Sequence, residues 1–342
     1  MSVSVISAAS SAWDRMVRVL FQPFDFVKWL ILGFCAFLAF LFEGGGGGSG
    51  GGDFSGRSSP GGRGGGLGNR QFADLQRNPV AEAREALASG EQWIQANVPL
   101  TVVIAAGVIL LVLLLVALTV LVLWLNSRGK FMFLDGIVHN RGAVIEPWRR
   151  FKSLANSLFW FRLVFGVLSA FISGVILLGA AAIAWPDIVA WTFASNAVTA
   201  LALGIPLSVL WVLLYWAIYF LLKDFIVPVM YLRDVRVMAA WRIFGREVLR
   251  GHFWALVRFY LLAILIAIVA WVAMFILMCA TLCIFACLVA LPYIGSMVLL
   301  PYFVFNQAYG LAFLEQLGDG WRFYPPEEGG PPAGDVAAVR PE

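Results

Sequence analysis

Few side chains in this sequence combine the type and the spacing that catalysis or metal binding requires. Asp135 and His139 are four positions apart, so a helix would place the carboxylate and the imidazole on one face. Such a pair can act in acid–base catalysis or supply two ligands to a metal ion. Either use needs a third partner, and the sequence suggests none. We therefore predict no catalytic residue, no metal site and no cofactor, and we expect a protein that is not an enzyme.

A second group consists of arginines that lie beside long apolar segments. Guanidinium groups in that position bind the phosphates of anionic lipid headgroups. The alternative is that they reach the membrane surface or pair between helices, and only stabilise the packing. The candidate anionic-lipid contacts are Arg149, Arg150, Arg162, Arg242, Arg246 and Arg258.

The last apolar run contains a candidate intramembrane polar spot formed by Pro301, Asn306 and Gln307. A proline inside a span frees a backbone carbonyl, and nearby amides can bind that carbonyl or bridge to another helix. The spot either holds helices together or contributes to a substrate site.

The charged residues are strongly segregated along the chain. Hydrophobic residues make up 61% of the sequence and charged residues only 13%, whereas a soluble domain carries roughly 25% charged residues. No charge occurs in Gln92–Ser127 or Phe259–Leu314, and Leu163–Leu222 contains only Asp187. Since a span needs ~20 apolar residues, the composition predicts an all-α membrane protein.

We predict about six transmembrane helices, arranged as three helical hairpins that each follow a cytoplasmic amphipathic interfacial helix. The first span crosses only if Asp25 and Lys28 lie at the headgroup level. Apolar sequence continues beyond the fifth span to Leu291, so that helix is long, tilted or kinked. The predicted spans are Phe24–Phe42, Leu100–Leu125, Leu158–Trp185, Ala197–Leu222, Phe253–Leu277 and Pro292–Glu315.

Composition divides the chain into five parts. An interfacial helix and the first span occupy 1–42, and a glycine-rich, disordered extracytoplasmic linker occupies 43–70. An extracytoplasmic polar helix is predicted at 71–98 and a disordered cytoplasmic tail at 318–342. The five-span bundle lies between them at 99–317, with interfacial segments at 128–162 and 233–258.

The interfacial segments suggest an internal repeat. Trp148 precedes Phe159 by the same interval at which Trp13 precedes Phe24, and Trp241 precedes Phe253 at a similar one. The first copy is fainter, and it predicts a short amphipathic helix whose apolar face holds Trp13, Met16, Val17 and Leu20. The alternative is that any interfacial helix gathers tryptophan and arginine.

The basic residues predict the orientation. With six spans and a cytoplasmic N-terminus, nineteen basic residues lie inside and five lie outside. Positively charged residues concentrate on the cytoplasmic side of membrane proteins. We therefore expect both termini in the cytoplasm.

The stretches GKFMFLDGIVHNRGAVIEPWRRFKSLANSLFWFR and LPYIGSMVLLPYFVFNQAYGLAFLEQLG resemble a group of prokaryotic multi-span membrane proteins of uncharacterised function. That group is distantly similar to the membrane domain fused to some glycerophosphodiester phosphodiesterases. The resemblance implies a six-span protein of a prokaryotic plasma (inner) membrane, and it supplies no catalytic residues.

These features favour a non-catalytic polytopic membrane protein that acts through lipid or partner-protein contacts at the cytoplasmic membrane surface. The expected partners are membrane lipids with anionic headgroups, and a protein partner or a second copy of the chain, but no nucleic acid. The alternative is a transporter or channel for a small or apolar solute. An intramembrane enzyme ranks third.

Overall fold

The computed structural model describes residues 4–41, 98–190, 194–281 and 284–324, and every regular element in these ranges is helical. The predicted glycine-rich linker and nearly all of the predicted polar helix at 71–98 lie outside the described residues. The tail is described only as far as Tyr324, and it includes a short 3₁₀ turn at Asp319–Trp321.

Within these described ranges, four helices are long and apolar enough to cross a membrane. Helix α3 spans Val98–Val138 and α5 spans Lys152–Val189. Helix α6, Ser195–Leu221, continues through the π-helical turn Leu222–Ile226 into α7, Val227–Arg233. Helix α9 spans Arg250–Ala280, with a local kink at His252. Their apolar side chains are largely exposed, as expected for surfaces that face lipid.

The remaining helices are shorter. They are α1, Val5–Phe21; α2, Phe26–Phe40; α4, Ile145–Arg150; α8, Val237–Ile243, followed by the π-helical turn Phe244–Leu249; α10, Ile284–Ala290; α11, Pro292–Val298; and α12, Leu300–Glu315.

The predicted first span corresponds to α2, a helix of 15 residues that is about 22 Å long at the usual rise. The predicted sixth span is divided at Leu299. The count of six and the arrangement as three hairpins stay predictions.

The chain forms two compact units. The first comprises the described residues within Met1–Gly50, Trp124–Phe161 and Phe220–Glu342, and the second those within Gly51–Leu123 and Arg162–Tyr219. The large buried core belongs almost wholly to the first unit, where Phe225, Phe259 and Phe313 pack ring against ring.

In the second unit, α5 and α6 pack against each other in antiparallel fashion. The rings of Phe165 and Tyr215 stack with centroids 5.4 Å apart, and Gly204 lies against Ala180 farther along both helices. The carboxylate of Asp187 accepts hydrogen bonds from the backbone N–H groups of Ala194 and Ala197. Asp187 therefore satisfies donors at the start of α6, which explains an acidic residue in an otherwise uncharged stretch.

Helix α1 packs on α12 within the first unit. Its Ala8, Ala12, Met16 and Leu20 are buried, whereas Trp13 remains 58% exposed. Met16 and Leu20 of the predicted apolar face thus pack on α12, which approaches closely because alanines recur at four-residue spacing. The ring of Trp13 contacts the ring of Phe305, with centroids 6.4 Å apart.

Helix α2 runs antiparallel to the C-terminal part of α3. The side-chain amide of Asn126 donates to the carbonyl oxygen of Ala39 at 2.7 Å. One turn later, a Cβ atom on Gly129 would lie 2.6 Å from the backbone nitrogen of Ala39. Gly136 makes a similarly close approach to Leu32. Glycine at these positions lets the two helix backbones meet.

This contact buries the polar part of α3. Asn126, Arg128, Lys130 and Asp135 are all less than 8% exposed. The sequence predicted that the helix would end at these residues and that the next segment would lie on the membrane surface. The structure instead continues α3 to Val138 and buries its last turns in the first unit.

Candidate functional site

Two candidate arginines lie on the exposed side of α4. This short helix buries Pro147 and half-buries Trp148, so the opposite side carries Arg149 and Arg150 into the surroundings. The Arg150 guanidinium lies 5.2 Å from the ring centroid of Phe151. Arg149 makes no ion pair with any described carboxylate.

A second pair of arginines occupies the exposed side of α8 and the π-helical turn that follows. Phe244 and Val248 point into the core, so Arg242 and Arg246 face outward. Neither arginine forms an ion pair with a carboxylate in the described part of the chain. The two pairs therefore have the same arrangement, with an apolar side buried and the guanidinium groups on the exposed side.

Arg258 and Arg162 differ in their surroundings. Arg258 is exposed, and its Nε donates weakly to the carbonyl oxygen of Trp254 at 3.4 Å. Trp254 itself is 74% exposed, and Trp160 at the start of α5 is 62% exposed. Arg162 is half-buried and belongs to the second unit, so the structure does not group it with the other candidates.

Arg128 is an arginine that the sequence did not single out. Its guanidinium lies between two indole rings, 4.5 Å from the centroid of Trp124 and 4.6 Å from that of Trp148. A cation held over aromatic faces in a buried place is stabilised by cation–π attraction. The four-residue spacing of Trp124 and Arg128 in the sequence indicates one of these two cation–π contacts, because residues four apart lie side by side on a helix.

The structure supplies the third partner that Asp135 and His139 lacked in the sequence. The Tyr231 hydroxyl donates to Asp135 Oδ1 at 2.9 Å, and Arg141 Nη2 donates to Oδ2 at 3.2 Å. His139 Nδ1 lies 3.2 Å from Oδ1. Asp135 is fully buried, whereas His139 and Arg141 are more than a third exposed. A buried carboxylate therefore links α3, α7 and the loop before α4.

Arg141 extends this network to the surface. Its two Nη groups donate to both carboxylate oxygens of Glu146, at 2.8 and 3.1 Å. The hydrogen bond from Arg141 lowers the pKa of the Glu146 carboxyl. The bidentate geometry fixes the loop between α3 and α4, and thereby the position of the helix that carries Arg149 and Arg150.

Arg15 on α1 contacts the C-terminal end of another helix of the first unit. It donates to the last carbonyl oxygens of α3, Ile137 at 3.0 Å and Val138 at 2.7 Å. Its guanidinium also lies 4.1 Å from the ring centroid of Tyr324. Burial lowers the pKa of Arg15. A cation at a helix C-terminus offsets the helix dipole, so Arg15 connects α1 to the end of α3.

The predicted polar spot is only partly assembled. Pro301 lies in the first turn of α12, where no backbone donor is needed, and so it begins a helix instead of interrupting one. Neither the Asn306 nor the Gln307 side-chain amide forms a hydrogen bond with the described residues. Gln307 does line a small cavity together with Lys130 and Lys223.

Comparison with known proteins shows the family of this chain but gives no activity. No curated protein matches the sequence, and no solved structure matches it either. The predicted similarity to the phosphodiesterase-linked membrane domain stays a prediction. A family model described as a family of unknown function, DUF7544, matches residues 3–320. The match covers both compact units, and the chain belongs to the DUF7544 family.

Proposed function

We propose that this protein is a non-catalytic membrane protein that binds anionic lipid headgroups through the arginines of its first unit. The main support for the proposal is that Arg149, Arg242 and Arg246 are exposed and have no carboxylate partner among the described residues. Free guanidinium groups on a membrane protein attract lipid phosphates, at about 1 kcal/mol for each basic residue near an anionic surface.

Neighbouring aromatic side chains support a location at the membrane surface. Trp160 and Trp254 are among the most exposed large side chains of the first unit. Tryptophan prefers the boundary between headgroups and hydrocarbon, where its ring is apolar and its N–H can meet water. Arginines and tryptophans in one unit thus match the two parts of an anionic lipid, its phosphate and its upper acyl chain.

The lipid proposal is tested by charge reversal. We expect Arg149→Glu/Arg150→Glu to lower the number of phosphatidylglycerol molecules retained by the purified full-length protein several-fold, as counted by native mass spectrometry. Phosphatidylcholine retention should not change, because that headgroup has no net charge. The measurement is repeated with Arg242→Glu/Arg246→Glu, for which the same loss is expected.

A matched control separates local binding from net charge. Arg57→Glu/Arg63→Glu changes the net charge by the same amount in the glycine-rich segment. Arg149→Lys/Arg150→Lys keeps the charge and should retain most of the bound lipid. Equal lipid loss in the glycine-segment control, or full retention after charge reversal on α4, would refute the proposal.

We further propose that the arginines face the cytoplasm of a prokaryotic cell. The support is the predicted excess of basic residues on that side, nineteen against five. An alkaline phosphatase reporter inserted in the glycine-rich segment should be active, and a fluorescent protein at the same place should be dark. The reverse pattern would place the arginines outside the cell.

A further inference from the structure

The last residues that the structure describes form a short segment fixed against the core of the first unit. Trp321 and Phe323 are each 5% exposed. The carboxylate of Glu315 accepts hydrogen bonds from the backbone N–H groups of Phe323 and Tyr324, at 3.0 and 3.3 Å. Residues 321–324 therefore set the point at which the following part of the chain is attached.

This attachment point lies beside a series of charged side chains. The Arg233 guanidinium on α7 is 5.4 Å from the ring centroid of Trp321, and its Nη2 is 3.7 Å from a carboxylate oxygen of Glu247. Glu247 belongs to the π-helical turn Phe244–Leu249, directly after Arg246. A short series of contacts thus connects Trp321 with the turn that carries Arg246.

The side chains of residues 233–250 form a basic surface. This stretch contains five arginines and two acidic residues, and all seven are exposed. Arg236, Arg242 and Arg246 form no ion pair with a carboxylate in the described ranges. Because positive charges are in excess and lie in the open, the surface attracts an acidic partner.

Two consecutive glutamates, Glu327 and Glu328, follow the attachment point closely in the sequence. They come six and seven positions after Trp321, and an extended chain of that length reaches at most about 20–25 Å. That reach covers the contacts that lead from Trp321 through Arg233 to the π-helical turn. A short tether also keeps the local concentration of a segment in the millimolar range. The two glutamates can therefore bind the basic surface without strong contacts of their own.

We propose that the basic surface at 233–250 binds the acidic segment 325–328 of the same chain, and that this segment competes there with anionic lipid. The competition rests on the proposed function, in which two arginines of this surface bind lipid phosphates. The occupant follows from the charge of the surface and from the place at which the segment is attached. A bilayer rich in anionic lipid displaces the segment, because its phosphates offer the arginines the same negative charge at higher density.

The first test detects the contact without lipid. The photo-reactive amino acid p-benzoylphenylalanine replaces Gly329 in the full-length protein, which is purified in a neutral detergent and irradiated. We expect a cross-link to residues 233–250, identified by mass spectrometry of the digested protein. Glu327→Gln/Glu328→Gln should lower its yield about threefold to tenfold, as the loss of two exposed ion pairs predicts.

Charge variants elsewhere show whether the contact is local. Arg242→Glu/Arg246→Glu should lower the yield as the glutamate variant does. Glu82→Gln/Glu85→Gln neutralises two glutamates in a part of the chain outside the described residues and should leave the yield unchanged. A cross-link that is absent from the wild type would overturn the proposal. So would a yield that either variant of the contact leaves intact.

The second test measures the competition with lipid. Native mass spectrometry counts the phosphatidylglycerol molecules retained by the wild type and by Glu327→Gln/Glu328→Gln. We expect a higher count for the variant, because the arginines are no longer occupied by the segment. An unchanged count after loss of the cross-link would refute the competition. The proposed lipid function fails on a different result, namely full phosphatidylglycerol retention by Arg242→Glu/Arg246→Glu, whatever the cross-link shows.

Discussion

Gly129→Ala should destabilise the protein by about 2–3 kcal/mol, which is the upper part of the range for overpacking a tight contact. The new Cβ atom would lie 2.6 Å from the backbone of Leu38 and of Ala39. Backbone atoms cannot rotate away as a side chain can, so α2 must move away from α3. The movement also weakens the hydrogen bond from Asn126 to Ala39. The free energy of unfolding can be measured by SDS titration of the detergent-solubilised protein.

Gly107→Ala is the matched control, because it makes the same chemical change in the same helix. A Cβ atom there would meet nothing within 4 Å. Alanine has a higher helix propensity than glycine by about 1 kcal/mol, so the control should be as stable as the wild type or slightly more stable. Equal effects of the two substitutions would show that α2 does not pack on Gly129.

The second large effect is expected from Asp135→Asn, with a loss of about 3 kcal/mol in the free energy of unfolding. This value is at the low end for breaking a buried ion pair, because solvent reaches the partner Arg141. Asparagine keeps the shape but removes the negative charge that Arg141 and the Tyr231 hydroxyl contact. The loss can be measured by the same SDS titration.

Glu146→Gln is the control for Asp135→Asn. It removes the other carboxylate bound by Arg141, but Glu146 is exposed and its partner is also partly exposed. Solvent compensates exposed ion pairs well, so the unfolding midpoint should stay close to the wild-type value. If Asp135→Asn is as mild as Glu146→Gln, the buried carboxylate does not hold the two helices together.

The long helices were predictable because their signal is local. About twenty consecutive apolar residues are long enough to cross a membrane. The predicted second, third and fifth spans lie within α3, α5 and α9, and the predicted fourth span lies within α6 and the first residue of its π-helical continuation. The start of α5 was also readable. Phe151, Ala155 and Leu158 recur in the sequence at three- and four-residue spacing, as one face of a helix requires, and all three are buried.

The buried network was not predictable, because its partners are far apart in sequence. Tyr231 lies 96 positions from Asp135, and no local pattern connects them. The same holds for the end of α3, where polar residues after an apolar run are typical of a membrane boundary. These polar residues are buried because α2 approaches α3 closely at Gly129. A single glycine in the sequence does not indicate which segment will pack against it. The internal repeat stays a prediction.

The packing of α1 on α12 has a consequence for biosynthesis. Ser4 hydrogen-bonds to Gln316, which is 312 positions later in the chain, so α12 is made roughly 15–60 s after α1 at usual translation rates. During that interval the face formed by Ala8, Met16 and Leu20 has no protein partner. An amphipathic helix in that state adsorbs to the nearest bilayer surface. The bilayer surface thus covers the apolar face of α1 until α12 has been synthesised and packs against that face.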